Sequence, residues 1–244
     1  MCVGRRVRIC SELGDDPSRW SRQVPLPVPF WFNSELDVFV EAVHAVANGN
    51  FQQGCEILAS VNGEALRRWV VDHGQWSGRF RSGRFRRLQV GSSRPMFVGP
   101  VDRPLSRTIK RMIFKRDNYR CRYCGLRTIS KDALPAFESA VETCRFSSRR
   151  NDNTHDHGIV LAFKVVADHV KPRSLGGRTT LDNLVTACPS CNYGEAEHTL
   201  EQLGLDDPGE RPPLDSEWDG LLSLTAGLKL AASGVGGGSN TQRG

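Results

Sequence analysis

The chain has 244 residues, of which 39% are hydrophobic and 25% charged, and a formal net charge of +6. That balance describes a globular protein with room for about two domains of roughly 100 residues, and the absence of any run of about 20 apolar residues excludes a membrane span. Arginine outnumbers lysine 27 to 6; arginine binds phosphate through two donors at once, although the base composition of a gene would produce the same bias.

The opening residues, Met1-Cys2-Val3-Gly4-Arg5-Arg6, lack the apolar core of a signal peptide. Eight cysteines without an export signal are expected in a reducing, cytoplasmic setting, as metal ligands and ordinary thiols rather than disulfides. Residues 1–33 read as irregular, broken by Pro25, Pro27 and Pro29. A helix is predicted from Ser34 as N-cap, with Leu36, Phe39, Val40 and Val43 on one face, stopped by Asn48-Gly49-Asn50. A second helix is predicted over 51–60. A third runs from Asn62 through Trp69 to His73, ended by Gly74. Residues 1–95 are thus expected to form a mainly helical region, a packing scaffold more than an interaction module.

The stretch Gly78–Arg87 repeats Gly-Arg-Phe-Arg. Arg79 and Arg84 there are candidates to grip phosphates while rings stack on bases; a hairpin with Phe80 and Phe85 inward would look the same. Residues 104–116 read as an amphipathic basic helix. Leu105, Ile109, Met112 and Ile113 share its apolar face, and Arg107, Lys110, Arg111 and Lys115 lie largely away from it. Between 103 and 122 eight basic residues stand against Asp117 alone, so this helix is the expected backbone-tracking surface, where displaced counterions supply sequence-independent affinity. A solvated helix face is the alternative.

Two Cys-x-x-Cys pairs follow, Cys121 with Cys124 and Cys188 with Cys191. Each tight turn presents two thiolates, and two such turns make a four-cysteine tetrahedral zinc site. Cys2, Cys10, Cys55 and Cys144 read as unligated thiols, and His155 and His157 as residues of a solvated loop. Between the pairs lie Asp168-His169 and Asn183, and Asn192 follows the second. Cutting a phosphodiester needs a base to make hydroxide and a cation at the leaving oxygen. His169 suits the base, since imidazole titrates near neutrality. Asn183 is a candidate to orient its ring from the other nitrogen. Asp168 and Asn192 offer hard oxygen ligands suited to Mg²⁺ or Mn²⁺. In a strand Asp168 and His169 point to opposite faces, so the turn beginning near Val170-Lys171-Pro172 has to bring both to one cleft.

The segments Arg116–Gly125, Ala167–Gly177, Asp182–Val185 and Cys188–Asn192 together resemble the HNH endonucleases, in the right order and over about 104–205. The resemblance implies an α+β fold with a ββα-metal nuclease domain over 100–205, stapled by zinc, clasping one catalytic metal and interrupted by an insertion at about 126–162. Residues 206–244 are expected to form an acidic, largely disordered tail, with Trp218–Leu230 packing back as a helix and 234–244 disordered. One departure stands out. The family usually has Lys-Gly three and four positions after the last Asn, and this chain has Glu195-Ala196; that change either weakens substrate contact or brings Glu195 into the metal shell. The function expected is DNA cleavage by a metal-dependent HNH endonuclease acting on double-stranded DNA. The alternative is an inert, zinc-stapled nucleic-acid-binding protein.

Overall fold

Apolar residues at 32, 36, 39, 43 and 46 recur in alternating steps of four and three, which lines them along one helix face. In the computed structural model, which describes residues 21–73, 105–142, 144–149 and 154–235, this run forms α1 (Trp31–Ala47), with that whole face buried. The helix begins ahead of the expected Ser34 because the apolar face extends upstream. Phe32 sits 5.0 Å from Trp69 and 5.8 Å from Phe163, ring centre to ring centre. The Asn48-Gly49-Asn50 stop is met, with Gly49 at φ 84°.

Helix α2 (Phe51–Ser60) follows over the expected residues. Gly54 lets it lie against α1, since a Cβ there would sit 2.3 Å from the Val46 side chain. Helix α3 (Gly63–His73) starts beside Asn62, whose Oδ1 accepts from the Ala65 N–H at 3.0 Å. The Gly78–Arg87 segment with Arg79 and Arg84, the thiols Cys2 and Cys10, and residues 236–244 lie outside the described residues.

Helix α4 (Arg107–Arg116) is capped by Ser106, whose side chain accepts from the Ile109 N–H at 3.2 Å. Its buried face is Ile113 and Phe114, while Met112 is 51% exposed. The expected face is therefore corrected by about one residue. Phe114 turns inward to meet Tyr119, 5.7 Å away, over Val165 and Leu184.

The stretch expected as an insertion is partly helical and packed into the core. It holds α5 (Ala133–Ala140) and α6 (Gly158–Phe163). Leu126, Ile129, Leu134, Phe137, Phe146 and Ile159 join one core with Leu36, Phe39 and Val43 of α1. Phe39 lies 5.1 Å from Phe137 and 5.6 Å from Phe146. Cys55 and Cys144, expected as separate thiols, are joined as a disulfide with a Cα–Cα distance of 6.0 Å, inside the ordinary range for such a bond. No spacing rule announces it, since 89 positions separate them. His157 also departs from the solvated-loop expectation: it caps α6, and its ring lies tilted against Phe146, 5.1 Å away centre to centre. His155 is exposed, as expected.

Two short strands then pair antiparallel, β1 (Val166–His169) and β2 (Leu184–Ala187), with Asp168 opposite Val185 and His169 opposite Leu184. Helix α7 (Pro189–Glu195) follows directly, and α8 (Leu200–Leu203) opens on a reciprocal cap between Thr199 and Gln202. Where composition suggests a disordered tail from 206, the chain folds back on the body. Trp218 Nε1 donates to the Thr128 carbonyl at 2.8 Å. Helix α9 (Thr225–Val235) then packs on α1 and α5, a little later than the predicted Trp218–Leu230. No helix among the described residues is long and apolar enough to cross a membrane.

Candidate metal and nuclease site

The first knuckle is a tight turn just after α4, closed by the bridge between Arg120 and Arg127 and by the Cys121 N–H donating to the Leu126 carbonyl at 2.9 Å. The second is the first turn of α7. Cys188 is its N-cap, its sulfur accepting from the Cys191 N–H at 3.4 Å, with Pro189 preset for the first helical position. The four ligand sulfurs lie within 4.8 Å of one another, and Cys124 and Cys188 are 3.7 Å apart. A tetrahedron with zinc–sulfur bonds of about 2.3 Å has edges of about 3.8 Å, so the cluster is sized for zinc. Burial raises the Cys121 thiol, but hydrogen bonds from Cys124, Cys188 and Cys191 outweigh it and hold Cys121 well below the ordinary thiol range. A site where thiols contend for protons in this way releases them to a soft cation.

Between the knuckles, β1 alternates as a strand must. Asp168 is 7% exposed and turns toward α7, where it meets Glu195 and Tyr123. His169 turns the other way and is half-buried, its Nε2 3.2 Å from Thr179 Oγ1. The expected contact of Asn183 with the imidazole is therefore corrected, because the amide is committed to the loop backbone. Its Oδ1 accepts from the Lys171 N–H at 2.8 Å, and its Nδ2 donates to the Arg178 carbonyl at 2.8 Å and the Lys171 carbonyl at 3.2 Å. Gly177 completes that loop, since a Cβ there would lie 1.8 Å from the Lys171 carbonyl oxygen. Asn192 is half-buried on α7 and lines a cleft of about 230 Å³ with Lys131, Lys164, Val166 and Tyr193. Asn192 and Glu195 are three positions apart and so share one side of the helix, the side that faces β1.

Residues 143–197 match the family model described as HNH endonuclease. The chain carries an HNH domain. The match takes in β1, the 170–183 loop, β2, α7 and the second knuckle, and starts after the first knuckle and α4. No curated protein and no solved structure matches the chain.

The HNH domain holds two buried carboxyl groups face to face. Glu195 is 1% exposed; burial, then the Asp168 charge, push it up to about 12. Burial raises Asp168 to about 6, against the pull of Glu195 and Tyr123. Asp168 Oδ2, Glu195 Oε1 and the Tyr123 hydroxyl all lack a hydrogen-bond partner within the protein. Three orphaned oxygens in one dry place are costly, and a hard cation is the ligand that would satisfy them.

Sequence reasoning missed Asp117, which is fully buried at the C-cap of α4. It accepts from Arg116 (Nε 2.8 Å, Nη2 2.9 Å), from Arg122 Nη1 at 2.9 Å and from the Thr186 N–H at 2.8 Å. The basic helix α4, the first knuckle and the second strand of the HNH match thus meet on one carboxylate. An isolated acid within a basic run was the one signal that pointed to it. On α4 itself Arg107, Arg111 and Lys115 are exposed and Lys110 is half-exposed, with Arg111 3.8 Å from Asp132.

Proposed function

We propose that the chain is a metal-dependent endonuclease that hydrolyses phosphodiester bonds in DNA, double-stranded DNA above all. The observation that carries this reading is the pairing of His169 and Asp168 on a strand packed against the helix bearing Asn192 and Glu195, inside the HNH match. Cys121, Cys124, Cys188 and Cys191 would hold a structural zinc. Asp168 and Asn192, joined by Glu195, would hold a divalent Mg²⁺ or Mn²⁺; the orphaned oxygens of Asp168 and Glu195 and the hard donor character of all three fit it. When bound, that cation offsets the charge that builds on the leaving oxygen.

The remaining chemistry falls to side chains. His169 takes the proton from an attacking water, whose oxygen adds to phosphorus in line with the bond that breaks. The departing alkoxide is protonated by solvent. Thr179 Oγ1 holds Nε2 and so fixes which ring nitrogen faces the water. Asn183 acts one step back, by closing the 170–183 loop that carries Thr179 and the turn after His169. Arg107, Lys110, Arg111 and Lys115 supply a sequence-independent hold on the phosphate backbone, and Arg79 and Arg84 are further candidates for phosphate contact.

Plasmid nicking with added Mg²⁺, with Mn²⁺ and with neither tests the reading. Cleavage is expected with either cation, and loss of about 10²–10⁴-fold in rate is expected for His169→Ala with zinc content and DNA affinity unchanged. Asp168→Ala should regain activity at high Mn²⁺, where His169→Ala should not. Equal rates for wild type and His169→Ala would refute the mechanism. A second reading, an inert zinc-stapled DNA binder, is favoured by one observation: Glu195 closes directly on Asp168. A wild type that binds DNA but never nicks it under either cation would select that reading.

A further inference from the structure

Tyr123 stands between the two cysteines of the first knuckle, and its side chain is among the largest fully buried ones of the described residues. Arg122 before it turns to Asp117 and donates its N–H to the Thr186 carbonyl at 2.8 Å, while Cys121 and Tyr123 both enter the main core. The turn is held on each side of the tyrosine. The Gly125 N–H donates to the Cys121 carbonyl at 2.8 Å, and the Tyr123 carbonyl accepts from Arg211 Nη1 at 3.4 Å. The knuckle therefore fixes where this phenol starts, and the core fixes where it ends.

It ends at the carboxyl pair of β1 and α7. Tyr123 acts on Asp168, and burial, then the charges of Asp168 and Glu195, hold the phenol well above the ordinary tyrosine range. Its hydroxyl nevertheless completes no hydrogen bond within the protein, and neither do Asp168 Oδ2 and Glu195 Oε1. A buried hydroxyl without a partner works against folding, and phenylalanine would fill the same core without that cost. A phenol is a donor at neutral pH, and a carboxylate beside it is an acceptor. Hard divalent cations bind through carboxylate oxygens, and outer donors such as an O–H orient those carboxylates.

We propose that Tyr123 is a positioning residue for the divalent-cation site: its O–H donates to the Asp168 carboxylate and steadies Asp168 beside Glu195 for the cation. The proposal rests on the endonuclease reading, since it takes Asp168 as a ligand of the catalytic cation. It gives the first knuckle a second task. The loop that would hold zinc also carries, on a rigid ring, the donor that orders the neighbouring site. Soft thiolates and hard oxygens keep the two ions apart, and one residue joins their frames. The HNH match begins at residue 143, so this contribution comes from outside it.

The test is Mn²⁺ binding by full-length, zinc-loaded protein, followed by loss of the free-ion paramagnetic resonance signal. Tyr123→Phe should bind Mn²⁺ about 10–100-fold more weakly, the range for losing a group that orients a metal ligand, with zinc content unchanged. Asp168→Ala should weaken binding further still, which assigns the signal to this site. Urea midpoints give a readout that a structural role would not: without Mn²⁺, Tyr123→Phe should be at least as stable as wild type, since it removes an unsatisfied hydroxyl. At one fixed Mn²⁺ concentration the wild-type midpoint should rise more than the variant's. Mn²⁺ should also perturb the tyrosine absorption band, a change that Tyr193→Phe keeps and Tyr123→Phe loses. Equal Mn²⁺ affinity in wild type and Tyr123→Phe would overturn the proposal. So would loss of zinc or of cooperative folding in Tyr123→Phe, which would make the hydroxyl part of the scaffold. If wild type nicks DNA while Tyr123→Phe binds Mn²⁺ unchanged, the proposal falls and the endonuclease reading stands. A wild type that binds Mn²⁺ with the help of Tyr123 and never nicks DNA would sink that reading and leave Tyr123 in its place.

Discussion

Thr179 and Asn183 divide between them the work that the motif alone assigns to Asn183. Thr179 reaches the ring of His169, and Asn183 ties Lys171 to Arg178. The two roles separate by experiment. Thr179→Val should lower the cleavage rate about tenfold, as loss of a group orienting a histidine does, and should barely change the unfolding midpoint. Asn183→Ala should instead lower stability by about 1–2 kcal/mol, because three backbone groups then go without their partner, with rate and stability falling together. Denaturation and single-turnover rates for both variants check this; equal stability losses would merge the two roles. The sequence made Asp168, His169, Asn183 and Asn192 legible as a set because their types and order are rare in combination. It could not say what each touches. Thr179 was silent because a threonine in a polar loop has no pattern of its own, and Glu195 was visible only as a departure.

At the scale of elements, α3 and α6 meet start to start, and that junction depends on absent side chains. A Cβ on Gly158 would sit 1.9 Å from the Gly63 carbonyl oxygen, and one on Gly63 would sit 2.6 Å from His157 Nε2. Burial, then the nearby Arg67 charge, lower His157 from 6.5 to about 4. Its Nδ1 accepts from the Ile159 N–H at 3.3 Å, a bond that a protonated nitrogen cannot accept. The folded state therefore prefers neutral His157. Above pH 6.5 both states are neutral there and stability is full; between 6.5 and about 4 the unfolded chain binds the extra proton, so stability falls as pH falls, then levels off. The full contribution is about 3 kcal/mol from a depression of that size. Urea midpoints at pH 7.5, 5.5 and 4 should fall further in wild type than in His157→Gln, and parallel curves would exclude this histidine as the cause. Helices α1 to α3 were readable because their apolar periods are long and their stops carry Gly and Asn. The surroundings of His157 were not, because α3 and α6 are far apart in sequence.

For the whole molecule, the main core is assembled from segments that read separately: α1 to α3, the 126–162 stretch, the first knuckle and the returning α9 share it. Sequence patterns resolve each segment and are blind to which ones meet, so the tail read as disordered and Cys55 and Cys144 as free thiols. The disulfide and the proposed zinc site would staple this assembly. Removing zinc should unfold the part that carries the HNH match, since a structural zinc contributes its binding energy to folding; about one zinc per chain by elemental analysis, and loss of cooperative unfolding on chelation, are the expected results. A fold unchanged after full zinc removal would refute the site. Cys55→Ser should lower stability by about 2–4 kcal/mol under non-reducing conditions, and reductant should erase the difference from wild type.

Asp117 carries a consequence for how ligands influence each other. One buried carboxylate clamps the end of α4, the arginine inside the first knuckle and the backbone of β2. The surface proposed to track DNA and the loop proposed to hold zinc therefore share a support with no slack between them. Thermodynamic reciprocity then applies: whatever factor zinc adds to DNA affinity, DNA must add to zinc affinity. Saturating DNA should slow the escape of zinc to a chelator, and Asp117→Asn should uncouple the two, leaving zinc to leave at one rate whether or not DNA is bound.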